Sequence, residues 1–153
     1  MQTQATSRQE QAARAGIVWI KLAVLYLLIG VALGIAMGAS RDFTLRPVHA
    51  HVNLLGWTTL ALSGIIYTLF PQAGTTLLAR VHFWLLNLAL PVMMGSLAYV
   101  LSTGDASVVA MLVIAEITAA ISIVALAANI FMNLQVSKDV AGECQPDKKA
   151  AAA

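Results

Sequence analysis

The chain has 153 residues, is 59% hydrophobic and only 10% charged, and carries a formal net charge of +2. Soluble domains carry about a quarter of their residues as charges, so the composition excludes a water-soluble globular fold and points to a membrane protein. The few cations flank apolar runs instead of clustering, which argues against nucleic acid as a partner, and the single Cys144 allows no disulfide within the chain.

A membrane-crossing helix needs roughly 20 apolar residues. Four runs meet that length, at 17–39, 48–70, 81–101 and 107–131. An arm, 1–16, precedes them, and a polar tail, 132–153, follows with the composition of disordered chain. The connections are short, so consecutive helices are expected to be antiparallel neighbours. The expectation is one all-α integral membrane domain of four transmembrane helices, in contact with the lipid bilayer.

The first run carries Gly30, Gly34 and Gly38, a G-x-x-x-G repeated once. Such a face serves either as a packing groove within the bundle or as a subunit interface. The run ends in "AMGAS", which resembles a signal cleavage site, but it exceeds the usual 7–15 residues of a signal and reads as a retained span. The second run opens at Pro47, suited to a first helical turn, and closes at Pro71 and Gly74. The third contains Pro91, which predicts a kink and frees the carbonyl of Asn87 one turn earlier. The fourth contains Glu116 among the small residues Ala119, Ala120, Ala127 and Ala128.

Seven basic residues (Arg8, Arg14, Lys21, Arg80, Lys138, Lys148 and Lys149) fall on one face of this arrangement, and only Arg41 and Arg46 on the other. The positive-inside rule then puts both termini in the cytoplasm of a bacterial inner membrane.

Ionisable side chains inside a span are costly and mark function. The stretch "RPVHAHVNLLGW" places His49 and His51 about 200° apart on a helix, so their imidazoles face opposite ways. They cannot easily share one metal ion within one chain. Below His49 lie Asn53 and Gly56, with Ser63, Gly64 and Tyr67 further on. Gly56 is expected to leave a flat gap there. The His51 side continues through Leu55, Thr58, Leu62 and Ile65. Amphipathic rings are also tolerated at membrane interfaces, which alone would account for an imidazole in a first turn. His82 opens the third run at the opposite face, roughly 30 Å away in depth. With Arg80, Phe83 and Trp84 it reads as an interfacial belt. Glu116 is a candidate proton or hydrogen-bond site facing a polar cavity, with Asn53, Thr58, Thr59 and Asn87 as candidate partners.

"RPVHAHVNLLGW" followed by "SGIIYTLFP" resembles the haem-copper oxidase subunit I superfamily, in particular its nitric-oxide-reductase-like branch. The resemblance is strongest over residues 46–71 and weaker through "RVHFWLLNLALPVMMG". It implies a single-arc, four-helix version of a fold that in full length has three such arcs. In that family a His-x-His pair serves two haems, one on each side. Carried over, it makes His49 and His51 axial ligands of b-type haem, with Arg41 and Arg46 meeting the propionates and Asn53 and Gly56 lining the site. Copper at the pair is the lesser alternative. The copper-ligand run and the adjacent His-His pair of the family are missing, so a stand-alone oxidase is not implied.

These residues lead to an expected role in electron transfer or in gas and redox sensing, with a respiratory-chain partner. The rivals are a small proton or ion channel or transporter-like protein using Glu116, and a non-catalytic accessory subunit of a respiratory complex. Because one chain cannot clamp a haem with this pair, a homotrimer with a haem at each interface is preferred over a dimer.

Overall fold

The computed structural model describes residues 2–134, with side chains from residue 14 onward; the polar tail and Cys144 lie outside the described residues. All regular structure among them is helical. Helix α1 is Gln2–Ser40, α2 is Arg46–Leu69, α3 is Leu77–Thr103 and α4 is Val109–Asn133. A single helical turn, Pro71–Gly74, and a 3₁₀ turn, Ala106–Val108, punctuate the connections.

Four segments are long and apolar enough to cross a membrane: Arg14–Ser40, Arg46–Leu69, Leu77–Thr103 and Ala106–Asn133. Each runs a few residues beyond its apolar run at one or both ends. At 24–28 residues they exceed the roughly 20 that the hydrocarbon core of a bilayer requires. The arm expected at 1–16 is not separate from the first helix: α1 begins at Gln2. The segment before Arg14 is rich in Gln and Ala and free of Gly and Pro, which favours helix.

The helix ends follow local chemistry. Thr76 caps α3, its hydroxyl accepting from the Ala79 N–H at 3.0 Å. Gly104 closes α3 in the left-handed region at φ 72°. Arg41 plays the corresponding part after α1, at φ 58°, a conformation unusual for a residue with a Cβ. Helix α3 continues through Pro91, which is exposed, and Pro91 ends no element.

Helix α1 lies along α2, and α3 along α4. The first half of α2 touches α3, and the Pro71–Gly74 turn touches both α1 and α4, joining the two hairpins. The core holds Trp19, Leu60, Tyr67, Leu86, Leu90 and Met93. The outward surface is apolar, with Leu54, Ile114, Val124 and Phe131 all exposed, as expected of helices in contact with lipid.

Helix α2 is not uniform. Val52–Thr59, directly after His51, is π-helical. The Thr58 and Thr59 hydroxyls donate to the carbonyls five residues earlier, Asn53 at 3.0 Å and Leu54 at 2.8 Å. π-helical turns are rare and concentrate at functional sites.

Candidate functional site

His49 sits between α2 and α1, half-buried, over the glycine groove of α1. Its Nδ1 lies 2.9 Å from the Gly30 carbonyl. A carbonyl only accepts, so Nδ1 carries the proton and donates. A Cβ on Gly34 would lie 3.1 Å from His49 Cε1, so the ring is seated against that glycine. His51 points the other way and is exposed; its Nδ1 donates to the Pro47 carbonyl at 2.8 Å. In the neutral imidazole each arrangement leaves Nε2 as a bare lone pair. Neither Nε2 has a hydrogen-bond partner among the described residues. Metal-ligating histidines share this state, one nitrogen donating to a carbonyl and the other free, although the state by itself does not require a metal.

Asn53 and Gly56 serve the bundle instead of an open gap. The Asn53 amide donates to the His49 carbonyl at 2.8 Å. A Cβ on Gly30 would collide with the Asn53 side chain, 2.5 Å from Nδ2. The flat gap expected at Gly56 is filled by Tyr26 of α1, whose Cγ would be 2.6 Å from an added Cβ. Within one chain Asn53 bonds the His49 carbonyl and Gly56 admits Tyr26, and His51 is the imidazole that faces outward. The glycine repeat is accordingly a groove within the bundle at Gly30 and Gly34, while nothing approaches Gly38 within 4 Å.

Arg46 is exposed, one turn before His49, with its guanidinium 5.4 Å from the Phe43 ring. Arg41 is exposed in the same loop. Neither forms an ion pair among the described residues, so both guanidinium groups are available to carboxylates. Asp42, between them, accepts from the Thr44 hydroxyl at 2.6 Å and the Thr44 N–H at 2.9 Å, and these bonds hold its carboxyl below the usual carboxylate range.

Glu116 does not face a cavity. It is exposed on α4 and has no hydrogen bond to Asn53, Thr58, Thr59 or Asn87. The Asn87 amide instead donates to the Phe83 carbonyl in its own helix, 2.8 Å away. A polar path through Glu116, Asn87 and Pro91 is therefore not formed inside one chain.

His82 is the residue most displaced from expectation. It is fully buried, not part of an interfacial belt. Its Nδ1 lies 3.2 Å from the Tyr67 hydroxyl, and its ring packs 4.7 Å from that of Trp19. Asn129 donates to Tyr67 Oη at 3.4 Å and to the Ala73 carbonyl at 2.9 Å, and Thr76 donates to Asn129 at 2.8 Å. His82 Nε2 is buried without a partner. The contacts of His49 on α1 fall eleven to fifteen positions beyond Trp19. That is about 17–22 Å along the axis, less than whole-span separation but still a distinct site.

Among the described residues no three His, Cys, Asp or Glu side chains converge as ligands for a metal ion. A haem iron, already held by its macrocycle, needs only one or two axial ligands from the protein. Set against protein-family models, curated proteins and solved structures, the chain matches none.

Proposed function

We propose that this chain is a multi-pass membrane protein that binds b-type haem through His49 and His51, a four-helix relative of haem-copper oxidase subunit I serving electron transfer or redox and gas sensing. The supporting observation is the matched state of the two imidazoles: each donates through Nδ1 to a backbone carbonyl and keeps Nε2 free. Arg41 and Arg46, exposed and unpaired near the same end of α2, are the groups that would take the propionates. Bound haem would supply one-electron chemistry at its iron. The chain would set its ligation, burial and orientation.

His49 is seated against α1 and His51 stands outside, so one chain offers one haem a single accessible imidazole. In this proposal a neighbouring copy completes the site; the preferred closed ring of three copies pairs His51 of one chain with His49 of the next and requires the His49 ring to reach out of the α1 groove, whereas two His51 rings alone would meet in a two-fold dimer. Exposed Glu116 fits the same picture, because an acid facing lipid is costly and a neighbouring chain would cover it. It also supports the rival of an accessory subunit within a larger respiratory complex. The proposed orientation, termini in the cytoplasm of a bacterial inner membrane, rests on the basic-residue count.

A reduced-minus-oxidised spectrum of the purified protein tests the proposal. A reducible Soret band with iron at up to one per chain is expected. Protein that stays colourless both as purified and after haem addition rejects haem in favour of the accessory role. Native mass spectrometry with haem retained reads the assembly: a haem-loaded trimer is expected, and a stable haem-loaded monomer rejects the shared site.

A further inference from the structure

We propose that the groove between α1 and α3, at the end of the bundle opposite His49, binds one anionic phospholipid. The groove has a volume of about 250 Å³ and opens to the surface. Val18 and Trp19 of α1 face Ala79 and Phe83 of α3 across it, and Arg80 is the charged residue in its lining. The Trp19 wall is fixed from behind by the edge of Tyr67, 5.6 Å between ring centroids, and by the ring of His82. Phe83 meets Trp19 edge-on at 4.9 Å. The walls are thus apolar and buttressed, and the space is about eight times the volume share of one water. That accommodates a length of acyl chain.

The charges select the headgroup. Arg80 is exposed and forms no ion pair among the described residues. Arg14 and Lys21 are exposed on α1, within one turn of Val18. The acids between residues 14 and 134 are Asp42 and Asp105, in loops at the other end, and Glu116 in α4. Glu10 lies one turn before Arg14 on the same helix, so Lys21 and Arg80 are the two cations at this end with no carboxylate near them along residues 14–134. A guanidinium recognises phosphate oxygens bidentately. Basic pockets between membrane helices at headgroup depth capture anionic lipids, and each nearby cation contributes roughly fivefold in affinity. A free phosphate would make no use of the apolar walls, and a zwitterionic lipid would gain less from the cations. The inference needs four membrane-crossing helices but not haem.

Trp19 lines the groove, so it reports occupancy. In the full chain with Trp57→Phe and Trp84→Phe, Trp19 is the sole tryptophan. Vesicles of phosphatidylcholine would carry a minor fraction of phosphatidylglycerol with dibrominated chains, or the same fraction of dibrominated phosphatidylcholine. Bromine quenches indole at contact. The expected result is half-maximal quenching at a mole fraction at least about fivefold lower for the anionic lipid. Arg80→Gln should reduce that preference about fivefold, and Arg80→Lys, which keeps the charge but not the fork, should retain part of it. Equal quenching by the two lipids, or an unchanged preference in Arg80→Gln, overturns the proposal. With all three tryptophans in place, native mass spectrometry from mixed micelles gives the second measurement. One retained phosphatidylglycerol, lost in Arg80→Gln, supports the site, and no retained lipid overturns it.

Discussion

His49 is held by Gly30: its Nδ1–H donates to that carbonyl at 2.9 Å, across the interface between α2 and α1. The same glycine leaves space for Asn53, which bonds the His49 carbonyl from below. The Gly30 carbonyl thus sets the tautomer of the imidazole, while the missing Cβ atoms of Gly34 and Gly30 leave room for its ring and for Asn53.

Gly30→Ala should therefore disturb this seat. Its Cβ would fall 2.5 Å from Asn53 Nδ2, and that of Gly56→Ala 2.6 Å from Tyr26 Cγ. Overpacking of this kind costs about 1–3 kcal/mol, more than the gain of alanine over glycine in a helix. Gly38→Ala meets nothing within 4 Å and should be neutral or slightly stabilising. Thermal unfolding in detergent separates the three; equal midpoints for Gly30→Ala and Gly38→Ala would deny the groove its role.

Which side of each helix faces inward was largely legible from spacing. The roughly 200° between His49 and His51 predicts imidazoles on opposite sides of the helix; the structure turns His49 toward α1 and leaves His51 exposed. The stripe Ala79, His82, Leu86, Ala89, Leu90 and Met93 repeats at three- and four-residue steps and is buried throughout. It puts His82 in the core, a signal obscured by the interfacial character of its neighbours Arg80 and Trp84. The buried stripe of α4, through Leu112, Ala115, Ala119, Ser122, Ala125 and Asn129, leaves Glu116 about 100° off and facing outward. What the sequence did not encode locally was tertiary pairing. Tyr26 filling the Gly56 gap depends on a helix thirty residues away, and the π-helical stretch depends on a register shift that propensity does not report.

Arg41 adopts φ 58°, where glycine or asparagine is usual. Arg41→Gly should relieve about 1 kcal/mol of backbone strain and raise the unfolding midpoint. If the side chain takes a propionate, the same change weakens haem retention. Arg41→Ala would keep the strain and lose the charge, so retention should fall without a gain in stability. Retention unchanged in both variants would remove Arg41 from the site.

The loops at the His49 end should respond to acid. Asp105 accepts from the Ser107 N–H, the Ser107 hydroxyl and the Tyr99 hydroxyl, each at 2.9 Å, and these hold its carboxyl below the usual range, as Thr44 does for Asp42. A carboxyl whose pKa is depressed on folding stabilises the fold above its unfolded value and loses that contribution as pH falls through the folded one. The unfolding midpoint should therefore show no loss from these groups between pH 8 and about 5, and fall below about 4. Asp105→Asn should shrink the acid drop; an identical acid limb in the variant would show that the cap is not what titrates.

The coordination state of the iron in three histidine variants tests haem binding by the α2 pair most directly. His51→Ala and His49→Ala should each lower haem content or convert a six-coordinate spectrum to a five-coordinate one. His82→Ala empties a fully buried position and should cost on the order of 2–4 kcal/mol in stability, yet leave the spectrum of the folded fraction unchanged. A spectrum lost in His82→Ala but intact in both α2 variants would contradict the assignment and move the site to the Trp19–Tyr67–His82 cluster.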